Sequence, residues 1–237
     1  MEWRSIQTPG GTVLMAVSRP VGTGPFPAVA ILHGSHGFAR QYVQLAKELS
    51  QAGVIAVAVC WFAPGEGAGK KDITPLDCPS TAPRISPHQS AESGRTIEAI
   101  VDAVRTLPGV RPDSLAVFGH SRGAGAAWNY ILRGGKAQAV ILNSAGYPDE
   151  LINRSAEFST SVLILHGERD TVGPMTRIQR ARKFEAALRQ AKRPVEAAYY
   201  RTGEHNSLFS SPSQHEDEVI RMRAFLRQEL RPNQGKE

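Results

Sequence analysis

A serine hydroxyl is a poor nucleophile at neutral pH. It needs a base within hydrogen-bond reach, and that base needs a carboxylate to orient it. One serine in this chain sits where such chemistry is built. Gly119-His120-Ser121-Arg122-Gly123 follows the apolar run Leu115-Ala116-Val117-Phe118 and precedes an Ala-rich stretch, 124–132, that holds Trp128, Tyr130, Ile131 and Leu132. The first run reads as a buried strand and the second as a helix. G-x-S-x-G between strand and helix is the setting of a nucleophile elbow. That turn is so tight that the serine takes strained backbone angles and its hydroxyl stands out at the end of the sheet. Side chains at 119 and 123 would collide with the neighbouring helix and strand, which accounts for the two glycines. The plainer reading, a Gly-rich turn that happens to contain serine, gives no reason for the residues that follow.

In this architecture the partners come after the nucleophile in the order acid, then histidine, each beyond a later strand. The apolar run 162–166 leads into Gly167-Glu168-Arg169-Asp170-Thr171-Val172. Asp170 is the expected acid. A turn-forming aspartate is the plain alternative, and Glu168 is the rival carboxylate. The last strand leads into Gly203-Glu204-His205-Asn206, and His205 is the expected base rather than a surface-loop histidine. His215 is the rival, but it falls in a run of charges at the start of a helix. Each residue alone says little. Found in the right order, each just beyond a different strand, they make a triad.

The oxyanion that develops on attack needs two backbone N–H donors. Arg122, next after the nucleophile, supplies one. The other is expected from Ser35, with His36 the runner-up, in the loop His33-Gly34-Ser35-His36-Gly37. Read plainly, that loop is a Gly turn. His33 and His36 find no third ligand at suitable spacing, so neither a metal nor a cofactor is expected.

These residues need a sheet to hold them. Residues 2–8 and 12–18 read as strands joined by a turn at Pro9-Gly10-Gly11. The runs 28–32, 54–60, 115–118, 139–143, 162–166 and 195–200 read as further strands, the continuously apolar ones buried on both faces of a parallel sheet. Helical spacing covers 38–52, stopped by Gly53, then 88–107, 174–191 and 214–230. This alternation predicts an α/β fold: a mostly parallel eight-stranded sheet with helices on both faces and ligands at the carboxyl ends of its strands. Residues 1–237 read as a single domain. The interval 144–160 is too short for a lid domain, so the site should be open. Residues 61–87 form a long irregular stretch that includes Lys70, Lys71 and Ile85, and loops of this length are often functional. Trp61 and His36 are the expected substrate contacts. Trp61 reads equally as a wall of the acyl pocket or a cap on the core. Arg84 reads as a solvated arginine before a carboxylate anchor, and Trp128 as core.

The bulk properties agree. With 237 residues, 41% hydrophobic and 21% charged, the chain can bury a full core. The net charge of +6 is scattered except for a concentration from Arg177 to Arg193, which reads as the solvated face of one amphipathic helix. A nucleic-acid partner would want a basic stripe. No apolar run approaches the ~20 residues of a membrane span. The first residues, Met1-Glu2-Trp3-Arg4-Ser5, lack the apolar core of a signal peptide, so a cytoplasmic protein is expected, with neither nucleic acid nor membrane as partner. Two cysteines, Cys60 and Cys78, are no disulfide framework and fit a reducing compartment; a single bridge between them stays open.

The assembled residues resemble an α/β-hydrolase, and more narrowly the dienelactone-hydrolase-related group of small esterases, over almost the whole chain. G-H-S-R-G at 119–123, H-G-E-R-D-T-V-G-P at 166–174 and G-E-H-N at 203–206 carry the resemblance. It implies a hydrolase that needs no cofactor. Dienelactone hydrolases have a cysteine in the elbow and a glutamate in the oxyanion loop; here Ser121 and Gly34 stand in those places. The difference favours a serine esterase on the same scaffold, acting on small-molecule esters with short acyl groups through an acyl-enzyme. The alternatives are a lactone hydrolase or a peptidase on the same triad. From another class there is a non-catalytic binding module, against which the complete triad argues.

Overall fold

The computed structural model describes residues 1–63, 72–84 and 90–231. Its strands are β1 (Glu2–Thr8), β2 (Gly11–Ser18), β3 (Phe26–Leu32), β4 (Ile55–Cys60), β5 (Val110–His120), β6 (Ala139–Asn143), β7 (Ser161–Gly167) and β8 (Val195–Tyr200). They form one sheet in the order β1-β2-β4-β3-β5-β6-β7-β8. The β1–β2 and β2–β4 pairs are antiparallel and every other pair is parallel. β4, β6 and β7 are buried at every position, as strands covered on both faces must be. β1, at the sheet edge, alternates half-buried and exposed residues.

The helices are α1 (Arg40–Ser50), α2 (Ala91–Arg105), α3 (Arg122–Leu132), α4 (Asp149–Asn153), α5 (Ile178–Gln190), α6 (Ser207–Ser210) and α7 (Pro212–Glu229). On one face α2, α3 and α5 set Ile97, Val101, Trp128, Phe184 and Leu188 against Val57, Val117, Val140 and Ile164. On the other, α1 and α7 set Tyr42, Leu45, Leu49, Met222 and Phe225 against Ile31, Ala58, Phe118 and Leu165. This is the α/β-hydrolase fold expected from the sequence. Successive strands leave β3 in opposite directions, β4 on one side and β5 on the other. A crevice opens at the carboxyl end of such a reversal. The turn after β3 and Ser121, after β5, both stand there.

Local differences have physical causes. The helix expected over 88–107 is described from Ala91, where the Ser90 side chain accepts the Ser93 N–H. The one expected over 174–191 is broken: a 3-10 turn covers Pro174–Thr176, Arg177 is extended, and α5 starts at Ile178. The one expected over 214–230 begins at Pro212, whose missing N–H suits a first turn. Strand β5 outruns its apolar stretch at both ends, because pairing to β3 starts at Phe26 with Val110 and pairing to β6 runs on to His120 with Asn143. Lys70, Lys71, Ile85 and His88 lie outside the described residues. Among the described residues no helix is long and apolar enough to cross a membrane. The basic run is largely ion-paired: Arg180 and Lys183 meet Asp149, Arg182 meets Glu168, and Arg189 meets Glu185.

Cys60, at the end of β4, is bridged to Cys78 with 6.0 Å between the Cα atoms. The bridge closes a sequence separation of 18 residues, and constraining a loop of that size in the unfolded chain is worth about 3 kcal/mol. Cys78→Ser is therefore expected to lower the urea stability of the oxidised protein by about that amount. Under reductant the variant and the parent should unfold together.

Candidate active site

The elbow is set by two close approaches. A Cβ on Gly119 would strike the backbone of Gly123 and Ala124, and one on Gly123 would strike the carbonyls of Leu32 and His33. The strand therefore passes into α3 within one residue, and Ser121 takes φ 53°, ψ −114°. A non-glycine residue there costs on the order of 1–3 kcal/mol. The strain is held by the Ser121 N–H, which donates to Asn143 O at 2.9 Å, and by Gly125 N–H, which donates to Ser121 O at 3.0 Å.

The three residues expected to act together are brought together. The Ser121 hydroxyl lies 2.8 Å from His205 Nε2, and His205 Nδ1 lies 2.6 Å from Asp170 Oδ2. An ionised carboxylate only accepts, so Nδ1 carries the ring proton and Nε2 is free to accept from the serine. Asp170 is buried. Its Oδ1 accepts from the Thr176 hydroxyl at 2.8 Å and from Val172 N–H at 3.1 Å. Burial pushes the Asp170 carboxyl up, but the bonds from His205, Thr176 and Val172 outweigh it and hold it below the usual aspartate range. Behind it, buried His166 faces Thr176 O through Nε2 at 2.6 Å. Backbone bonds join the two loops: Glu168 N–H donates to Tyr200 O and Arg169 N–H to Gly203 O, both at 2.9 Å. The rivals are used elsewhere. Glu168 pairs with Arg182, and His215 bridges Glu48 and Leu208 O, tying α7 to α1 and α6.

The loop expected to hold the oxyanion is fixed from behind by Tyr42, whose hydroxyl accepts Gly34 N–H at 2.9 Å and lies 2.7 Å from His36 Nε2. Burial, then the charge of His205, brings His36 down to about 4, so its ring is neutral and takes the Tyr42 proton as acceptor. Gly37 N–H is taken by Gly34 O. The amides of Ser35 and His36 remain as the loop's candidates among the described residues. The Arg122 side chain spans the gap, with Nε 3.1 Å from Ser35 Oγ and its guanidinium 5.9 Å over the Phe62 ring. A Cβ on Gly34 would sit 2.8 Å from the His120 ring, so a glutamate there would need His120 to move.

The two expected substrate contacts lie almost wholly below the surface. Trp61 is 2% exposed, and its indole N–H donates to His33 O at 3.0 Å. It props the loop after β3 and keeps little surface with which to wall a pocket. His36 is 8% exposed and spent on Tyr42. Arg84 is exposed, as a solvated arginine should be, and Trp128 is core. The sequence reading missed Thr176, Asn143 and His120. The signal for Thr176 was its place just past Asp170, hidden under an apparent helix. Among the described residues no three His, Cys, Asp or Glu side chains stand close enough to hold a metal ion.

A hydroxyl, an imidazole and a buried carboxylate in line at these distances can activate the hydroxyl for attack on a carbonyl. Comparison with known proteins follows the same line. The model of the dienelactone hydrolase family matches residues 13–229. A curated relative from Bradyrhizobium sp, described as a probable 2-oxo-3-(5-oxofuran-2-ylidene)propanoate lactonase, is 25% identical over 221 residues, covering 86% of this chain and 83% of its own. Two solved structures share the fold at low identity. A dienelactone hydrolase-like promiscuous phosphotriesterase from metagenomic libraries has TM-score 0.76 and 17% identity, over 97% of this chain and 99% of its own. An esterase from Pyrococcus furiosus has TM-score 0.73 and 15% identity, over 97% of this chain and 93% of its own.

The Asp170 carboxyl is held below its unfolded value of 3.8, so its ionised form is the stabilised one. Its contribution is present above that value and is lost as pH falls through the folded one. In urea unfolding, the stability gap between the parent and Asp170→Asn is expected to be full at neutral pH and to close as pH falls below 3.8. A gap that stayed constant with pH would contradict this reading of the carboxylate.

Proposed function

Because the chain belongs to the dienelactone hydrolase family, we propose that it is a serine hydrolase that cleaves small carboxylic esters through an acyl-enzyme on Ser121. The coarser statement, a hydrolase of esters or lactones, follows from the family and its relatives. The finer one is carried by a single observation, the unbroken hydrogen-bond line from Ser121 through His205 to Asp170. In the proposed reaction His205 Nε2 takes the Ser121 proton as Oγ attacks the ester carbonyl. The backbone N–H groups of Arg122 and Ser35 receive the oxyanion. The tetrahedral adduct then collapses, His205 protonates the departing alcohol, and the acyl group stays on Ser121. Water activated by the same imidazole releases the acid. Asp170 stabilises the imidazolium in both halves.

A lactone is an ester whose alcohol stays tethered after opening, so the same steps apply, and the Bradyrhizobium relative favours this as the second reading. An amide needs a far poorer leaving group and is the weaker alternative. Short acyl chains are supported by how the described part of the long loop spends its apolar residues. Trp61, Phe62 and Ile73 are packed inward rather than arranged along a tunnel. Methylenes left in water forgo the ~0.8 kcal/mol each would gain on burial. The substrate of this proposal is a small molecule, the reaction needs no cofactor, and residues 1–237 act as one domain. A cytoplasmic location stays within it. There Cys60 and Cys78 would be held as thiols, the bridge being the form of an oxidising medium.

The test is hydrolysis of p-nitrophenyl esters of graded length beside lactones and peptide amides. Acetate to butyrate esters should be hydrolysed with higher kcat/KM than decanoate. Ser121→Ala should lose about 10⁴-fold or more in kcat with an unchanged circular dichroism spectrum. A variant keeping a tenth of the parent kcat would move the nucleophile elsewhere. A kcat/KM rising out to dodecanoate would reveal a long-acyl pocket.

A further inference from the structure

A line of buried polar groups lies beneath Ser121 and His205, and no step of the proposed reaction uses it. Glu218, on α7, is fully buried. Its Oε1 accepts from Gln214 Nε2 at 2.7 Å and its Oε2 from Asn143 Nδ2 at 2.6 Å. Asn143 Oδ1 faces His120 Nδ1 at 2.6 Å, and His120 Nε2 faces Asn206 Oδ1 at 3.2 Å. Asn206 follows His205 in the chain, and its carbonyl accepts from the N–H groups of Phe209 and Ser210. The turn that carries His205 therefore hangs on it. The His120 ring also lies 5.4 Å from that of His205.

His120 is uncharged, since burial above all, with the neighbouring His205 and His36 imidazoles opposing a further positive charge, pushes its imidazole far below the usual range. A neutral imidazole has a single N–H, yet an amide faces each of its nitrogens. One amide must turn its NH₂ to the ring, and Glu218 decides which. As a carboxylate Glu218 only accepts. Asn143 then gives it the NH₂ and offers Oδ1 to His120, the ring proton sits on Nδ1, and Asn206 turns its NH₂ to Nε2. As a carboxylic acid Glu218 donates its O–H to the Asn143 oxygen. Asn143 then turns its NH₂ to Nδ1, the ring proton sits on Nε2, and Asn206 offers its oxygen. Glu218 takes its proton from solvent, and His120 keeps one proton in both arrangements.

We propose that Glu218 is a positioning residue whose protonation sets the direction of the hydrogen bonds through Asn143 and His120 to Asn206, and with it the seat of His205. Only the activity arm of the test rests on the catalytic reading of Ser121, His205 and Asp170. The groups that face Glu218 are Gln214, His215 and Asp217 on its own helix, Asn143 from β6 and Tyr200 from β8. Burial raises its carboxyl most, and against the bonds from Gln214 and Asn143 and the charge of His215 it is brought up to about 7. The reversal thus falls in an accessible pH range.

The experiment uses the whole protein. Nitrogen-15 NMR of the His120 ring should show the proton on Nδ1 about one unit above pH 7 and on Nε2 about one unit below it. In Glu218→Gln the tautomer should not change with pH. With p-nitrophenyl acetate, the pH profile of kcat/KM should lose one ionisation near 7 in Glu218→Gln. A merely structural glutamate would lower activity evenly and leave that ionisation in place. A parent tautomer that holds across the range overturns the proposal, as does a Glu218→Gln profile with as many ionisations as the parent's, since the His205 base keeps its own in both. Should Glu218→Gln fail to fold, the parent spectrum still decides. Loss of the catalytic reading, seen as an active Ser121→Ala, leaves the NMR arm intact.

Discussion

The rest of the site depends on how closely α3 approaches β3. Gly123 lies against the Leu32 carbonyl, and Gly119 lies against the first turn of the helix. With a side chain at either position the helix would have to back away, and the chain would need more residues to turn from strand to helix. Because it does not back away, one residue absorbs the whole turn, and that residue is Ser121. Its backbone strain is opposed by two hydrogen bonds and by the burial of α3 along Trp128, which has no exposed surface. The placement of the hydroxyl is thus a property of packing and not of serine.

The same logic, glycine against backbone, recurs where Asp170 and His205 meet. A Cβ on Gly167 would run into Gly203, so the loops after β7 and β8 touch main chain to main chain. Thr176 and Val172 then fix one carboxylate oxygen of Asp170 and leave the other to His205.

Much of this was legible in the sequence because the chemistry restricts it. Fully buried parallel strands must read as unbroken apolar runs, and the order of serine, acid and histidine follows from which strand ends face the crevice. What was not legible depended on contacts between distant segments. The helical spacing over 174–191 concealed the 3-10 turn that frees Thr176 for Asp170. Trp61 ends a strand, and nothing local tells a pocket wall from a prop for His33 O. Glu218 sits in a run of charges that looks solvated. Yet Gln214, Glu218, Met222 and Phe225 share one helical face and are all buried, and that spacing was the available signal. The Cys60–Cys78 bridge joins a strand end to a loop, and no spacing rule reaches across such a segment.

The backbone stitching of the Asp170 and His205 loops has a mechanical consequence. Arg169 N–H on Gly203 O and Glu168 N–H on Tyr200 O make the two loops one rigid piece, with the imidazole and the carboxylate mounted together on it. Ser121 belongs to another piece, the β5–α3 turn, two strands away in the sheet. Of the two short contacts in the line, the one at 2.6 Å lies inside a single body and the one at 2.8 Å crosses a joint between bodies. The joint is crossed a second time where His120, beside Ser121, meets Asn206, beside His205, at 3.2 Å, so the spacing of serine and imidazole is fixed at two neighbouring points, one on each side of the peptide link in both loops.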